Sequence, residues 1–123
     1  MTNALTKAEW AVMTALWQNP HQTISGVIET MGEATGWKYN TYATYIKRMC
    51  DKGLVAFDQI GRDKFYYAAV EKQTCIQAES MTLLDKIDDK ATKEFLLCMI
   101  KNVNLSRQDR QELRAFLDEL GQR

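Results

Sequence analysis

Apolar residues recur at helical spacing from the start of the chain. One face of a first helix is formed by Trp10, Met13, Leu16 and Trp17. Thr6 and Glu9 have the spacing of a capping box at its start. Asn19-Pro20 should end this helix, because the residue before a proline avoids the α conformation.

Two further helices should follow. The second runs from Ile24 to Met31 with Thr23 as N-cap, and Gly32 and Gly36 bracket the turn after it. The third covers about residues 39–52 and has one apolar stripe, formed by Tyr42, Tyr45, Ile46 and Met49. Its start is open: Trp37 and Tyr42 suit a hydrophobic staple if Lys38 is the cap, but the helix could instead begin at Asn40.

The pattern then changes to two short runs rich in β-branched and aromatic residues. Residues 54–60 and 64–70 are predicted strands, joined by a turn at Gly61-Arg62-Asp63. A lone hairpin is marginally stable, so this one should lie against the helices. Residues 1–70 are therefore predicted to be a winged helix-turn-helix domain, mainly α with a small antiparallel β-hairpin.

After residue 70 the pattern is helical only, and Ser106 with Asp109 caps the clearest helix. A segment of this size rarely folds alone without disulfides, metals or oligomerisation, and two-fold dimers are the commonest oligomers. The apolar stripes of this segment should therefore pair with a second copy or fold back on the first domain. Homodimerisation is the preferred interpretation, and residues 71–123 are predicted to be a helical dimerisation domain. The candidate dimerisation residues are Ile76, Leu83, Leu84, Phe95, Met99, Leu113, Phe116, Leu117 and Leu120.

Composition and charge narrow the classes of protein to which this chain can belong. The 123 residues carry no net charge, yet residues 37–67 contain six basic and three acidic side chains, a local excess of +3. No CxxC pair or other metal motif appears, so no metal or cofactor is expected. The three cysteines are predicted to be buried reduced thiols, with a redox or metal sensor as the rival reading. No signal peptide or membrane span is evident, which predicts a cytoplasmic protein.

The third helix and the hairpin carry the candidate binding chemistry. Small polar side chains let a helix enter the DNA major groove, where Asn40 can read an adenine edge and threonine methyl groups can touch thymine. Basic side chains of the helix can neutralise phosphates, and those of the hairpin, Arg62 and Lys64, can do the same or enter the minor groove. The candidate DNA-binding residues are Lys38, Tyr39, Asn40, Thr41, Ala43, Thr44, Lys47, Arg48, Arg62 and Lys64.

The sequence gives less support to two other functional classes, a protein-docking module and an enzyme. A winged helix can dock a protein partner, but that use favours an acidic or apolar third-helix face, which is not present here. An enzyme is disfavoured, because the chain has no phosphate loop, nucleophile elbow or paired catalytic carboxylates. Its single histidine, His21, lies beside a proline in a turn, where a surface role is expected.

The chain resembles the BlaI/MecI/CopY group of bacterial penicillinase-type repressors over nearly its whole length. The resemblance rests on LTKAEWAVMTALW, GWKYNTYATYIKRMCDKGLV, a wing ending in FYY, and LSRQDRQELRAFL. It implies a dimeric winged-helix repressor that binds an inverted-repeat operator in double-stranded DNA. Thr41, Thr44 and Arg48 match the W-x-x-x-T-x-x-T-x-x-x-R pattern that starts at Trp37.

The chain also departs from that group. Lys38 and Tyr39 stand where Ser-Pro is frequent, and Ala43 replaces a basic or amide residue. Cys98 and Met99 occupy the register of the Asn-Phe bond that a sensor protease cuts in some members. The closing LDELGQR has no CxC motif of the copper-responsive members. The inducing signal, and any sensor or protease partner, are therefore left open.

Overall fold

A computed structural model describes residues 5–32 and 36–122; the first four residues and residues 33–35 of the predicted turn lie outside this description. The helices and strands it contains are α1 (Lys7–Gln18), α2 (Ile24–Met31), α3 (Tyr39–Asp51), β1 (Val55–Ile60), β2 (Asp63–Ala68), α4 (Lys72–Lys86), α5 (Thr92–Lys101) and α6 (Arg107–Leu120). A short 3₁₀ turn, Asp89–Ala91, precedes α5. The predicted mainly helical fold with one antiparallel hairpin is confirmed.

The first three helices pack around one core because each has an apolar stripe. The buried side chains that these helices and the beginning of the hairpin contribute to it, including Leu54 just before β1, are Val12, Met13, Ala15, Leu16, Val27, Tyr42, Ile46, Met49, Leu54 and Val55. Trp10 and Trp17 pack against this core while partly exposed. The capping box of Thr6 and Glu9 is formed in both directions, as its spacing predicts.

The hairpin is a two-stranded antiparallel sheet in which Ile60 pairs with Asp63. Only two residues form its turn, and Gly61 has a φ of 64°. Glycine at the first central position is what a type II′ turn requires. The sheet is extended by Gln22, whose N–H and C=O both bond to Tyr66 of β2, at 2.9 and 2.7 Å. This pairing holds the wing against the turn between α1 and α2.

Two compact units divide the chain after Leu83. The first includes most of α4, because Cys75 of that helix is only 1% exposed and fills part of the core. The second contains α5 and α6, neither of which has a buried residue. The first unit thus extends past residue 70, where the sequence pattern changes after the hairpin. The division into two domains at that residue stays a prediction. The assignment of residues 71–123 to dimerisation stays a prediction.

All three cysteines are free thiols. Cys75 is buried, Cys50 is half-buried and Cys98 is exposed. The prediction of buried thiols is therefore wrong for Cys98, which lies on a helix whose side chains face no core within its unit. Burial raises the pKa of the Cys50 and Cys75 thiols, which disfavours the reactive thiolate. Within the described ranges, no helix combines the length and apolarity that a membrane span needs.

Candidate nucleic-acid interface

Helix α3 has one buried and one exposed face. Tyr42, Ile46 and Met49 are at most 1% exposed and attach the helix to the core. The opposite face is polar and basic: Asn40, Thr44, Lys47 and Arg48 are exposed, and Thr41 and Ala43 are half-buried. The apolar periodicity of the sequence determines this division, because a helix repeats every 3.6 residues. The recognition face predicted from the sequence is therefore available to a ligand.

The start of α3 is fixed by aromatic packing. Lys38 is the N-cap residue, and its side chain makes no capping hydrogen bond. Trp37 lies edge-on to Tyr42 at 5.1 Å between ring centroids and stacks on Tyr45 at 4.8 Å. The predicted hydrophobic staple is thus formed, and the helix begins at Tyr39 instead of the alternative, Asn40. Tyr39 itself is 54% exposed.

The wing presents its basic residues close to the start of α3. Arg62 occupies the turn, and the Lys64 ammonium lies 4.7 Å from the ring centroid of Phe57. A cation over an aromatic face is held by the ring quadrupole, which limits where the Lys64 charge can move. The charge at the tip is therefore partly oriented before any ligand binds.

A shallow cavity of about 210 Å³ joins these elements. It is lined by Thr23, Ile24, Tyr39, Arg62, Asp63, Lys64 and Tyr66. Two cations, two phenols and the Asp63 carboxylate line it beside the N-terminal end of α2. The cations, the phenols and the helix N-terminus suit a phosphate group, whereas the carboxylate opposes one. Sequence reasoning placed three of these side chains in the site but assigned Thr23 only a capping role. That role is confirmed, since its hydroxyl accepts from the Gly26 N–H at 3.1 Å.

The far end of α3 is tied to α1 by an ion pair. The Lys52 ammonium lies 2.6 Å from Glu9 Oε2, and the Glu9 side chain is 7% exposed. Glu9 Oε1 also accepts from the Thr6 N–H. Burial alone would raise the pKa of Glu9, but the hydrogen bonds from Lys52 and Thr6 outweigh it and the pKa is lowered. Lys52, counted in the local positive charge, is thus engaged within the fold.

Glu9→Gln is expected to destabilise the fold by about 1–2 kcal/mol at pH 7, since Lys52 loses its partner but is exposed enough to hydrate. A carboxylate with a lowered folded-state pKa contributes stability above its unfolded-state pKa, which is lost as pH falls. Denaturant titrations between pH 7 and 3 should therefore show that the free energy of unfolding of the wild type declines below about pH 5. The decline should be smaller for Glu9→Gln. Glu29→Gln, at an exposed carboxylate, is the control. Equal curves for wild type and Glu9→Gln would contradict the assignment.

Comparison with known proteins agrees with this geometry. Residues 5–119 match the family model of the penicillinase repressors. The chain belongs to the penicillinase repressor family. It is 25% identical over 118 residues to the methicillin resistance regulatory protein MecI of Mammaliicoccus sciuri, covering 96% of each chain. It is 24% identical to the penicillinase repressor of Bacillus licheniformis, covering 94% of this chain and 90% of that one.

The fold is also shared with a DNA-bound regulator. The transcriptional repressor CouR, solved on a 23-mer DNA duplex, superposes with a TM-score of 0.52 at 20% identity, over 95% of this chain and 75% of that one. Such a likeness shows the winged-helix fold alone. Together with the family, it identifies this protein as a winged-helix DNA-binding repressor of transcription. The resemblance noted from the sequence motifs is confirmed.

The family is one of transcriptional regulators and not of enzymes. His21 of the repressor is exposed in the turn before α2, where its Nε2 lies 3.3 Å from Asp58 Oδ2 of the wing. Its ring packs on Tyr67 at 4.8 Å, so it connects the turn to the hairpin. In residues 5–32 and 36–122, no three His, Cys, Asp or Glu side chains are grouped as a metal site would need.

The candidate dimerisation residues of the repressor are spread over both units. Ile76 and Leu83 lie on the part of α4 that belongs to the first unit. The others belong to the second: Leu84, Phe95, Met99, Leu113, Phe116, Leu117 and Leu120. Every one of these nine side chains is at least 37% exposed. Large apolar side chains at such density are typical of a surface that associates with another surface.

Proposed function

We propose that the repressor acts as a homodimer on an inverted-repeat operator, with α3 as the recognition helix and the β1–β2 hairpin beside the DNA backbone. The observation that carries this proposal is the exposed polar and basic face of α3, set next to a cavity in which Arg62 and Lys64 converge. That arrangement meets both needs of operator binding, since base edges are read from the groove and phosphates are neutralised at its rim.

Helix α3 suits the major groove by size as well as by charge. Its exposed side chains near the start are short, so the backbone can approach base edges closely. The Thr44 hydroxyl donates to the main-chain carbonyl of Asn40 at 2.9 Å. The lone pairs of that hydroxyl and the side-chain amide of Asn40 are left for contacts outside the helix. Lys47 and Arg48 follow one turn later and are placed to reach phosphates.

The second unit supports the dimer. Its helices carry exposed Phe95, Leu96, Leu97, Met99, Ile100, Leu113, Phe116, Leu117 and Leu120. Leaving so many large apolar side chains in water is unfavourable by about 25 cal/mol for each Å² that a partner could cover. A second copy presents the same surface, and two-fold pairing makes two such surfaces self-complementary. CouR, a repressor of the same fold, was solved on a DNA duplex.

A docking module for a protein partner is the alternative from another class. The exposed face of α3 has neither the apolar stripe of a helix-in-groove contact nor an excess of acidic residues. The operator proposal is therefore preferred.

Asn40→Ala tests the recognition helix directly. A side-chain amide that pairs with an adenine edge contributes about 1–3 kcal/mol of discrimination. Because the dimer loses one such contact in each half-site, we expect the variant to lose about 30-fold or more in affinity for the best site selected from random duplexes. It should also become indifferent to the base at one position in each half-site. Gln77→Ala removes an exposed amide from α4 and is the control. If Asn40→Ala kept every base preference, the orientation assigned to α3 would be wrong.

A further inference from the structure

Glu79 of α4 makes two long-range hydrogen bonds through a single oxygen. Its Oε1 accepts from the Trp10 indole Nε1–H and from the Leu5 N–H, both at 2.9 Å. Both contacts are partly shielded from water, and hydrogen bonds to a charged acceptor are about twice as strong as neutral ones. The carboxylate therefore joins α4 to the start of the chain and to the exposed edge of α1.

Two further contacts hold the same region. Cys75 lies one helical turn before Glu79, on the same face of α4, and is 1% exposed in the core. The Trp17 indole donates to the Val70 carbonyl at 3.0 Å, just before α4 begins. The rings of Trp10 and Trp17 contact each other edge-on at 5.7 Å. The Trp17 indole thus holds the chain at Val70, just before α4, and the Trp10 indole holds it at Glu79, halfway along α4.

Helix α4 continues past these contacts. It extends to Lys86, beyond Leu83 where the first compact unit ends, and contains no glycine or proline. A helix rises 1.5 Å per residue, so about 10 Å of regular helix lies beyond Glu79. Within the first unit, the direction of α4 relative to α1 is consequently set by the contacts of Glu79 and Cys75.

We propose that Glu79 is a positioning residue that sets the distance between the two half-sites that the dimer accepts. This inference rests on the proposed dimeric function. Each added base pair moves the half-sites apart by about 3.4 Å and rotates them by about 35° around the duplex. Two DNA-binding units attached at a fixed angle match one spacing, whereas loosely attached units accommodate several. The hydrogen bonds of Glu79 are made to Leu5 and Trp10 and not to the exposed face of α3, so it controls spacing without reading bases.

The chain offers matched variants. Glu79→Ala removes the acceptor. Glu79→Gln keeps an oxygen that can accept both hydrogen bonds but loses the charge that strengthens them, so it should retain most of the wild-type spacing preference. Trp10→Phe keeps an aromatic ring and removes one donor, so it should give an intermediate result. Ser80→Ala changes the neighbouring exposed residue, whose hydroxyl bonds only within α4, and is the control.

The experiment is selection of binding sites from random DNA duplexes with each full-length variant in parallel, followed by affinity measurements on duplexes that differ only in half-site spacing. The wild type and Ser80→Ala should prefer one spacing over its neighbours by about tenfold or more, and Glu79→Gln should keep most of that preference. Glu79→Ala should reduce that preference to about threefold or less, with affinity for an isolated half-site unchanged.

The failures are distinguishable. If the wild type enriches no inverted repeat, the dimeric function itself is wrong and this inference goes with it. If the wild type enriches one spacing and Glu79→Ala keeps the same preference, the function stands and the role of Glu79 is overturned. Should Glu79→Ala prove too unstable to test, the role of Glu79 is overturned if folded Trp10→Phe keeps the wild-type spacing preference.

Discussion

Leu117→Asp is expected to convert the repressor to a monomer and to weaken binding to an inverted repeat by about 10²- to 10³-fold. Leu117 is 62% exposed on α6, in the stripe that also contains Leu113, Phe116 and Leu120. A carboxylate in the centre of an apolar interface would be buried without a partner, which is strongly unfavourable. A monomer reads one half-site and loses the gain that comes from linking two binding events.

The control places the same charge on the other face of the helix. Gln111 is exposed on α6 and lies about 120° from Leu117, about 160° from the centre of the apolar stripe. Gln111→Asp should leave both sedimentation and operator affinity close to wild type. Sedimentation equilibrium of the two variants, with titrations on the same selected duplex, decides the matter. A Leu117→Asp protein that still sedimented as a dimer would show that the interface lies elsewhere.

Operator affinity is expected to fall about 10³-fold between 50 and 200 mM monovalent salt. Lys52 is paired with Glu9. Among the residues that the structure describes, the basic residues of the interface without an ion pair are Lys38, Lys47, Arg48, Arg62 and Lys64. If three of these five neutralise phosphates in each protomer, a dimer displaces counterions from about six phosphates. The slope of log affinity against log salt is then about −5.

The ion pair supplies a matched comparison for that slope. Lys47→Gln should make it shallower by about 2, because the dimer loses two phosphate contacts. Lys52→Gln removes the same formal charge, but from an ammonium that is already bound to Glu9. Its slope should stay at the wild-type value. The charge distribution assigned to α3 would be refuted by equal effects of the two substitutions, measured as binding isotherms at four or more salt concentrations.

Most helices and strands of the first compact unit could be predicted from local sequence. The bounds of α1, α2 and α3 differ from prediction by at most a residue or two, because capping boxes, an Asn-Pro pair and apolar stripes at 3.6-residue spacing act within one or two turns. The hairpin was predicted for the same reason, although β2 starts at Asp63, since Gly61 allows a two-residue turn. The exposed face of α3 followed directly from its buried stripe.

The rest depended on contacts between residues far apart in the chain. Periodicity gave no sign that Lys52 would be held by Glu9, or that Thr23 would join the wing and Tyr39 around one cavity. It also gave no sign that the packing of Cys75 and the hydrogen bonds of Glu79 would attach the first half of α4 to the first compact unit.

The sequence by itself determined which segments become helices and strands and which face of each is apolar, because capping, turn chemistry and side-chain periodicity are properties of neighbouring residues. Only the tertiary structure decided which charges stay free for a ligand and where α4 is attached. Those outcomes follow from distances between groups 43 to 74 residues apart in the chain, which become defined only when the core closes.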